Sequence, residues 1–482
     1  MKVLFSHSYF MRFDPKQWKQ RMPYPPLGTI YAAALLRAEG HEVALFDTMF
    51  AEAATEVLPW LDREQPDVLA IYDDGFNYLT KMCLTNMRHA AFDMAALAHA
   101  RGIKVIVCSS DASDHFEKYL DHAADFVIPG EGEMGLLDLV TRLQAGETDF
   151  AAVPGIKYRV DGQTVQTPKR PVMRDLDALP MPAWDLIDIR PYQEAWSIHG
   201  YFSINMATTR GCPYKCNWCA KPIYGNRYNS HSPAAKADEL RYLVDHFGAQ
   251  HVWFCDDIFG LKPGWVAEFA DALAERNLRL PFKIQSRADL LLKDDTVADL
   301  ARAGCQEVWL GAESGSQKIL DAMDKGITVA QIHTARQQLG RHGIRTAFFL
   351  QFGYLGEDQA DIRATFDMLR TTLPDDIGVS VAYPLPGTPF FDKVKSQMQE
   401  KTNWTDSDEL ALMFRNTHSP RYYKRLHRYV HKQFRKWQGY AALRALLRGK
   451  AESGAVRRIA AIAYYVPAAW LERLRLQRLL HG

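Results

Sequence analysis

Short apolar runs recur along this chain, each followed by a helical stretch, and that alternation leaves few folds open. Between residues 1 and 145 the runs are KVLFSH (2–7), EVALFD (42–47), DVLAIY (67–72), KVIVCSS (104–110) and DFVIPGEGE (125–133). PLGTIYAAALLRAEGH (26–41) reads as a helix ending at Gly40. Apolar strands separated by helices predict a parallel, doubly wound sheet. Such sheets bind ligands beyond the carboxyl ends of their strands, where the strand order reverses. Here that edge carries Asp47, Tyr72, Asp73, Ser109, Ser110, Gly130 and Glu131.

Residues 146–200 read as a connector. They hold an expected hairpin, GIKYRVDGQTVQT (155–167), turning at Asp161-Gly162, and the Pro-punctuated LPMPAWDLIDIRPY. A second strand–helix series starts near Tyr201. Its strands are FSINMAT (202–208), HVWFCD (251–256), FKIQSR (282–287), EVWLGAE (307–313), RTAFFLQF (345–352) and IGVSVAY (377–383). Six such units fall short of the eight of a closed barrel, which predicts an open, partial one. From about 384 the pattern changes to the turn cluster YPLPGTPFF, a polar region with Trp404, and a strongly helical end. The expected organisation is α/β: a Rossmann-like doubly wound sheet over 1–145, a linker over 146–200, a partial barrel over 201–385 and a helical region over 386–482.

At 482 residues, with 47% hydrophobic and 24% charged side chains, the chain has material for two or three domains. Its net charge of +1 makes no case for nucleic acid. Seven cysteines, an odd number with three crowded together, are unlike a secreted disulfide framework. The start shows no export signal, and no apolar run approaches the roughly 18 residues of a membrane span. A reducing cytoplasm is expected, where thiolates are free to bind metal.

The three crowded cysteines lie in TTRGCPYKCNWCAKP (208–222), directly after a predicted strand. Gly211 and Pro213 force a loop, which lets Cys212, Cys216 and Cys219 converge. Zinc wants four ligands, commonly as two separated pairs, and no fourth Cys or His stands nearby in sequence. Iron–sulfur clusters are also usually held by four thiolates, so a set of three leaves one iron open to another ligand.

This CxxxCxxC loop resembles the radical S-adenosylmethionine (SAM) superfamily. The resemblance implies a [4Fe–4S] cluster on Cys212, Cys216 and Cys219, with SAM chelating the open iron. It also implies an external electron donor such as flavodoxin or ferredoxin. Trp218 matches an aromatic frequent there, standing near the adenine or shielding the cluster. The strand ends FCDDIFG, KIQSRADLL and GCQEVWLGAESGS are similar to the family's SAM-binding positions. They nominate Asp256, Ser286, Arg287, Glu313 and Ser314, where acids suit hydroxyls and an ammonium and Arg suits a carboxylate. The alternative for Asp256 and Arg287 is an ion pair or a cap. Cys255 and Cys305, in apolar strands, are expected to be buried structural thiols.

PPLGTIYAAALLRAEGHEVALFDT (25–48) with IPGEGE (128–133) resembles the cobalamin-binding domain that precedes many radical SAM cores, and with the barrel the resemblance covers about 1–390. It implies cobalamin at the edge bearing Asp47, Tyr72, Ser109, Gly130 and Glu131. The DxHxxG signature is absent and Asp114-His115 does not fit it, so no histidine is nominated as a cobalt ligand. The implied activity is methylation of an unactivated carbon of a lipid or natural product. The alternatives are a rearrangement or cyclisation without methyl transfer, a sensor module, or a methylthiotransferase. The last needs three cysteines before the barrel, where only Cys83 and Cys108 stand.

In RYYKRLHRYVHKQFRKW (421–437), Tyr422, Leu426, Tyr429, Val430, Phe434 and Trp437 form a stripe at helical spacing among seven Lys/Arg. IAAIAYYVPAAWL (459–471), interrupted by Pro467, is too short to span a bilayer but suits an interface. Peripheral membrane contact through 421–471 and packing against the protein itself are both open. Tyr354, Tyr383 and Trp309 are expected either to line a substrate cavity or to be core.

Overall fold

Val68–Tyr72 (β3) is buried at all five positions, as the middle of a sheet covered on both faces requires. The computed structural model that places it describes residues 1–219, 221–450 and 454–480, with backbone alone at Lys221 and Pro222. Ala220 of the cysteine motif and residues 451–453 and 481–482 of the helical end lie outside the described residues. Around β3 stand Lys2–Ser6 (β1), Glu42–Phe46 (β2), Lys104–Cys108 (β4) and Phe126–Val127 (β5), all parallel, in the order β2-β1-β3-β4-β5. The order reverses between β1 and β3, which makes that edge the switch point. The expected hairpin forms as Lys157–Val160 (β6) and Gln163–Gln166 (β7), with Asp161 at φ 50° and Gly162 at φ 75°. Both turn residues are left-handed, as a two-residue hairpin with native twist needs. The hairpin adds antiparallel to β5 and extends the sheet to seven strands, which makes it more than a connector.

The second sheet has six strands in the order β15-β14-β13-β12-β11-β8. They are Ser203–Met206 (β8), His251–Phe254 (β11), Phe282–Ser286 (β12), Cys305–Glu313 (β13), Arg345–Phe352 (β14) and Asp376–Val381 (β15). Six strands in sequence order give the open partial barrel. A ribbon of Thr209–Arg210 (β9) and Asn229–Ser230 (β10), which no sequence pattern announced, brackets the cysteine loop. The chain divides into two compact units. One is Met1–Tyr214, Ala220–Ile284 and Asn403–Glu409; the other is Lys215–Cys219, Gln285–Thr402 and Leu410–Gly482.

At the end of the second unit, the Pro420–Leu447 helix buries Tyr422, Leu426, Val430 and Phe434. Phe366 packs on Tyr429 and Trp437. The basic helix's stripe is thus core. Pro467 does not interrupt: one helix runs Ile462–Arg478 through it. Proline deprives only the Ala463 carbonyl of its partner, and both residues are exposed to water. No described helix is long and apolar enough to cross a membrane.

Candidate active site

The second unit holds Cys216 and Cys219 on a tight turn, with the Cys219 amide donating to the Cys216 carbonyl at 3.4 Å. Asn217, 2% exposed, anchors it. Its Nδ2 donates to the Ala322 carbonyl and to Asp324, its Oδ1 accepts from the Tyr354 hydroxyl at 2.6 Å, and its amide donates to the Met323 carbonyl. Tyr354 stacks on Phe390, so it clamps the loop instead of lining a cavity. Both thiols are partly exposed and outside any disulfide.

Arg287, at the end of β12, points Nη1 at Cys216 Sγ at 3.5 Å. It is fixed by donation to Asp289 and to the Lys325 carbonyl. Lys325 in turn pairs with Glu313 at 2.8 Å, and both are buried. Burial opposes the Lys325 ammonium, but the Glu313 carboxylate and Cys216 outweigh it and raise its pKa. Its Nζ stands 5.8 Å from the Trp218 ring centroid, within cation–π reach. Glu313 ends β13 at a register shift, in left-handed backbone at φ 56°. Such strain persists where surroundings over-determine it, which is common at functional sites. A Cβ on Gly311 would stand 2.7 Å from Lys325 Nζ and 2.9 Å from Glu313 Oε1, so glycine makes room for the pair. Ser286 is buried nearby on β12. Ser314 bonds Thr365 and caps the Ser316 amide. Cysteine binds iron as thiolate, and the cations beside the loop offset the negative charge such ligands bring. The loop therefore fits a cluster, and its guanidinium, ammonium and carboxylate fit a zwitterionic ligand beside it.

In the first unit, Gly211 sits at φ 80° just before Cys212, and a Cβ there would collide with the Arg227 carbonyl. Asp256 Oδ1 accepts from the amides and hydroxyls of Thr208 and Thr209 at 2.5 to 3.1 Å. The acid thus braces the start of the loop, the capping role left open above. Its Oδ2 is buried and finds no partner among the described residues. Burial pushes its carboxyl up to about 6. Cys255 is buried and donates to the Met206 carbonyl, and Cys305 is buried in the other unit.

The switch-point edge gathers Tyr72, Asp73, Ser109, Ser110 and Gly130 around a cavity of about 10 Å³, roughly one water in size. Ile223 and Tyr224 fill the rest. A Cβ on Gly75 would reach Tyr224 Oη at 2.7 Å, and one on Gly130 would reach the Ile223 carbonyl at 3.2 Å. Asp73, held by the Ser8 amide and hydroxyl, has its pKa pushed up to about 6 by burial. Asp47 lies apart, bonded to His7 and Tyr192. Glu131 faces Arg210 at 2.7 Å and the Met173 amide, with Glu133 on the other Arg210 nitrogen at 2.8 Å. Among the described residues no histidine lines the cavity.

The structure therefore joins Cys216, Trp218, Arg287 and Glu313, and separately Tyr72, Ser109 and Gly130. Among the described residues no three His, Cys, Asp or Glu side chains form a ready metal-holding group, so the three-cysteine set rests on its spacing. Sequence reasoning missed Lys325, Asn217 and Arg210. Asn217 was within reach, since it lies inside the motif. Lys325 carries no local signal.

Residues 206–369 match the model of the Radical SAM superfamily. An uncharacterized methyltransferase of Pyrococcus horikoshii is 25% identical over 387 residues, covering 79% of this chain and 81% of the relative. The hopanoid C-3 methylase of Methylococcus capsulatus is 26% identical over 437 residues, covering 88% of this chain and 79% of the relative. The solved structure of the cobalamin-dependent S-adenosylmethionine radical enzyme OxsB, with aqua-cobalamin and S-adenosylmethionine bound, superposes with a TM-score of 0.73. It is 17% identical and covers 98% of this chain and 72% of its own, which establishes the shared fold. Residues 206–369 form a radical SAM domain, and the chain that carries it is an enzyme.

Proposed function

We propose that the chain is a cobalamin-dependent radical SAM methyltransferase acting on an unactivated carbon of a lipid or natural-product small molecule. The observation that carries this is the buried Arg287–Lys325–Glu313 group beside Cys216, a charge pattern complementary to the methionyl end of SAM. Cys212, Cys216 and Cys219 hold the [4Fe–4S] cluster. When bound, the cluster and SAM would supply radical hydrogen-abstraction chemistry, and cobalamin would supply the methyl group.

Arg287 and Lys325 orient the SAM carboxylate, Glu313 its ammonium, and Trp218 shields the adenine side. The buried Oδ2 of Asp256 accepts a ribose hydroxyl, while Ser286 and Ser314 shape the pocket. Tyr72, Ser109 and Gly130 form the cobalamin edge, with Glu131 bracing its rim, while Asp47 holds the end of β2 through His7 and Tyr192. A corrin far exceeds a one-water cavity, so holding it at this edge would require Ile223 and Tyr224 to move aside. Two relatives named for methyl transfer, each matching 79% or more of this chain, support methylation. An external flavodoxin or ferredoxin delivers electrons, and the thiolates call for a reducing, cytoplasmic setting.

Feeding SAM labelled in its methyl group tests the reading. Label in the product supports methylation. Deoxyadenosine formed with product lacking label assigns a rearrangement or cyclisation instead.

A further inference from the structure

The Ile462–Arg478 helix has one face settled by packing: Ala469, Glu472 and Leu476 are buried, within the pair it makes with the Pro420–Leu447 helix. Glu472 is the pin, accepting from Arg425, Lys432 and Arg475 at 2.9 to 3.4 Å. The opposite face is set by the same geometry, and it is apolar. Pro467, Trp470 and Leu474 follow one another at helical spacing, with Tyr464 and Leu471 beside them. Tyr464 and Trp470 are each 62% exposed and Leu471 42%. Leu447 and Val456, at the neighbouring helix end and start, are exposed at 79% and 77%. Large apolar side chains gathered on an exposed helix face mark a contact site.

Charge identifies the occupant. Residues 420–480 contain fifteen Lys or Arg and two acids, Glu452 and Glu472, in a chain of net charge +1. Glu472 is buried under its three cations, and Glu452 lies outside the described residues. Arg457, Arg473 and Arg478 of these last helices are exposed. Aromatic and aliphatic side chains flanked by arginine, on a helix that lies along the protein, are the pattern of interfacial binding to anionic lipid. A protein partner of ordinary composition gains nothing from so one-sided a charge.

We propose that this face, centred on Tyr464, Trp470 and Leu471, docks the protein on an anionic bilayer surface. The sequence left two membrane candidates, and the stripe at 422–437 is spent on the core; the surface is the last helix. The proposal rests on helix packing and charge, independent of the reaction proposed above.

Co-sedimentation of the anaerobically purified full chain with phosphatidylcholine vesicles, with and without phosphatidylglycerol, tests it. Pelleting is expected with phosphatidylglycerol and a several-fold weaker response without it. Trp470→Ser with Leu471→Ser, both exposed and so compatible with folding, should abolish pelleting while circular dichroism stays unchanged. Arg457→Glu with Arg473→Glu should do the same at low salt. Full-length protein remaining in the supernatant, or a Trp470→Ser/Leu471→Ser variant that pellets normally, overturns the proposal. So does a concentration-dependent dimer dispersed by Trp470→Ser, which would assign the face to a second copy.

Discussion

In the second unit the site is made of charge. Arg287, Glu313 and Lys325 are each less than a tenth exposed and pair with one another or with the loop. In the first unit the strand edge is made of missing side chains. Gly75 and Gly130 make room for Tyr224 and Ile223, and Tyr72, Ser109 and Ser110 line the small cavity beside them. A buried charged cluster selects a ligand by its own charges, because unmatched ionic groups in low dielectric are costly. A glycine-lined edge selects by shape and lets backbone approach a bulky ligand. The first arrangement suits SAM and the second a corrin, so damage to each should be separable.

The largest effect is expected at the charged site. Lys325→Met leaves Glu313 buried without its cation and should cost about 3–5 kcal/mol in urea denaturation. Adding Glu313→Leu should recover most of that stability without recovering SAM binding. If the double variant stays as unstable as the single one, the pair is not what holds this region.

Asp256 comes next. Its folded pKa of about 6 exceeds the ordinary 3.8, so the folded state binds the proton more tightly. The stabilising contribution is full below the ordinary value and is lost as pH rises through about 6. Relative to Asp256→Asn, wild type should therefore lose about 2–3 kcal/mol between about pH 4 and about pH 7. Parallel pH–stability curves for the two proteins would contradict this.

Gly211→Ala should follow, at about 1–3 kcal/mol, because a Cβ there meets the Arg227 carbonyl in left-handed backbone. Iron content after reconstitution should fall with it. The smallest effect belongs to the edge: Gly130→Ala, at φ 77°, should cost about 1 kcal/mol. It should lower cobalamin content in absorbance spectra while iron per chain stays unchanged. Equal loss of both cofactors would erase the distinction between the sites.

What the sequence made legible follows the same division. Strands buried on both faces leave uninterrupted apolar runs, so VLAIY and its neighbours were readable to within a residue or two. The cysteine loop is local in sequence, and Glu313 and Arg287 stand at strand ends where ligands are expected. Lys325 was invisible because its partner stands twelve positions back, beyond a short helix and on a strand that a bulge re-aims. Asn217 and Tyr354 meet across 137 positions, a distance no short pattern spans. Pro467 misled because local propensity yielded to tertiary packing of the far face.

Anaerobic reconstitution with iron and sulfide, followed by a reductant-dependent assay for 5′-deoxyadenosine, tests the cluster most directly. Wild type should show a four-iron cluster spectrum and produce deoxyadenosine from SAM, and Cys212→Ala/Cys216→Ala/Cys219→Ala should show neither. A triple variant that still cleaves SAM, or wild type that takes up no iron, would contradict the assignment.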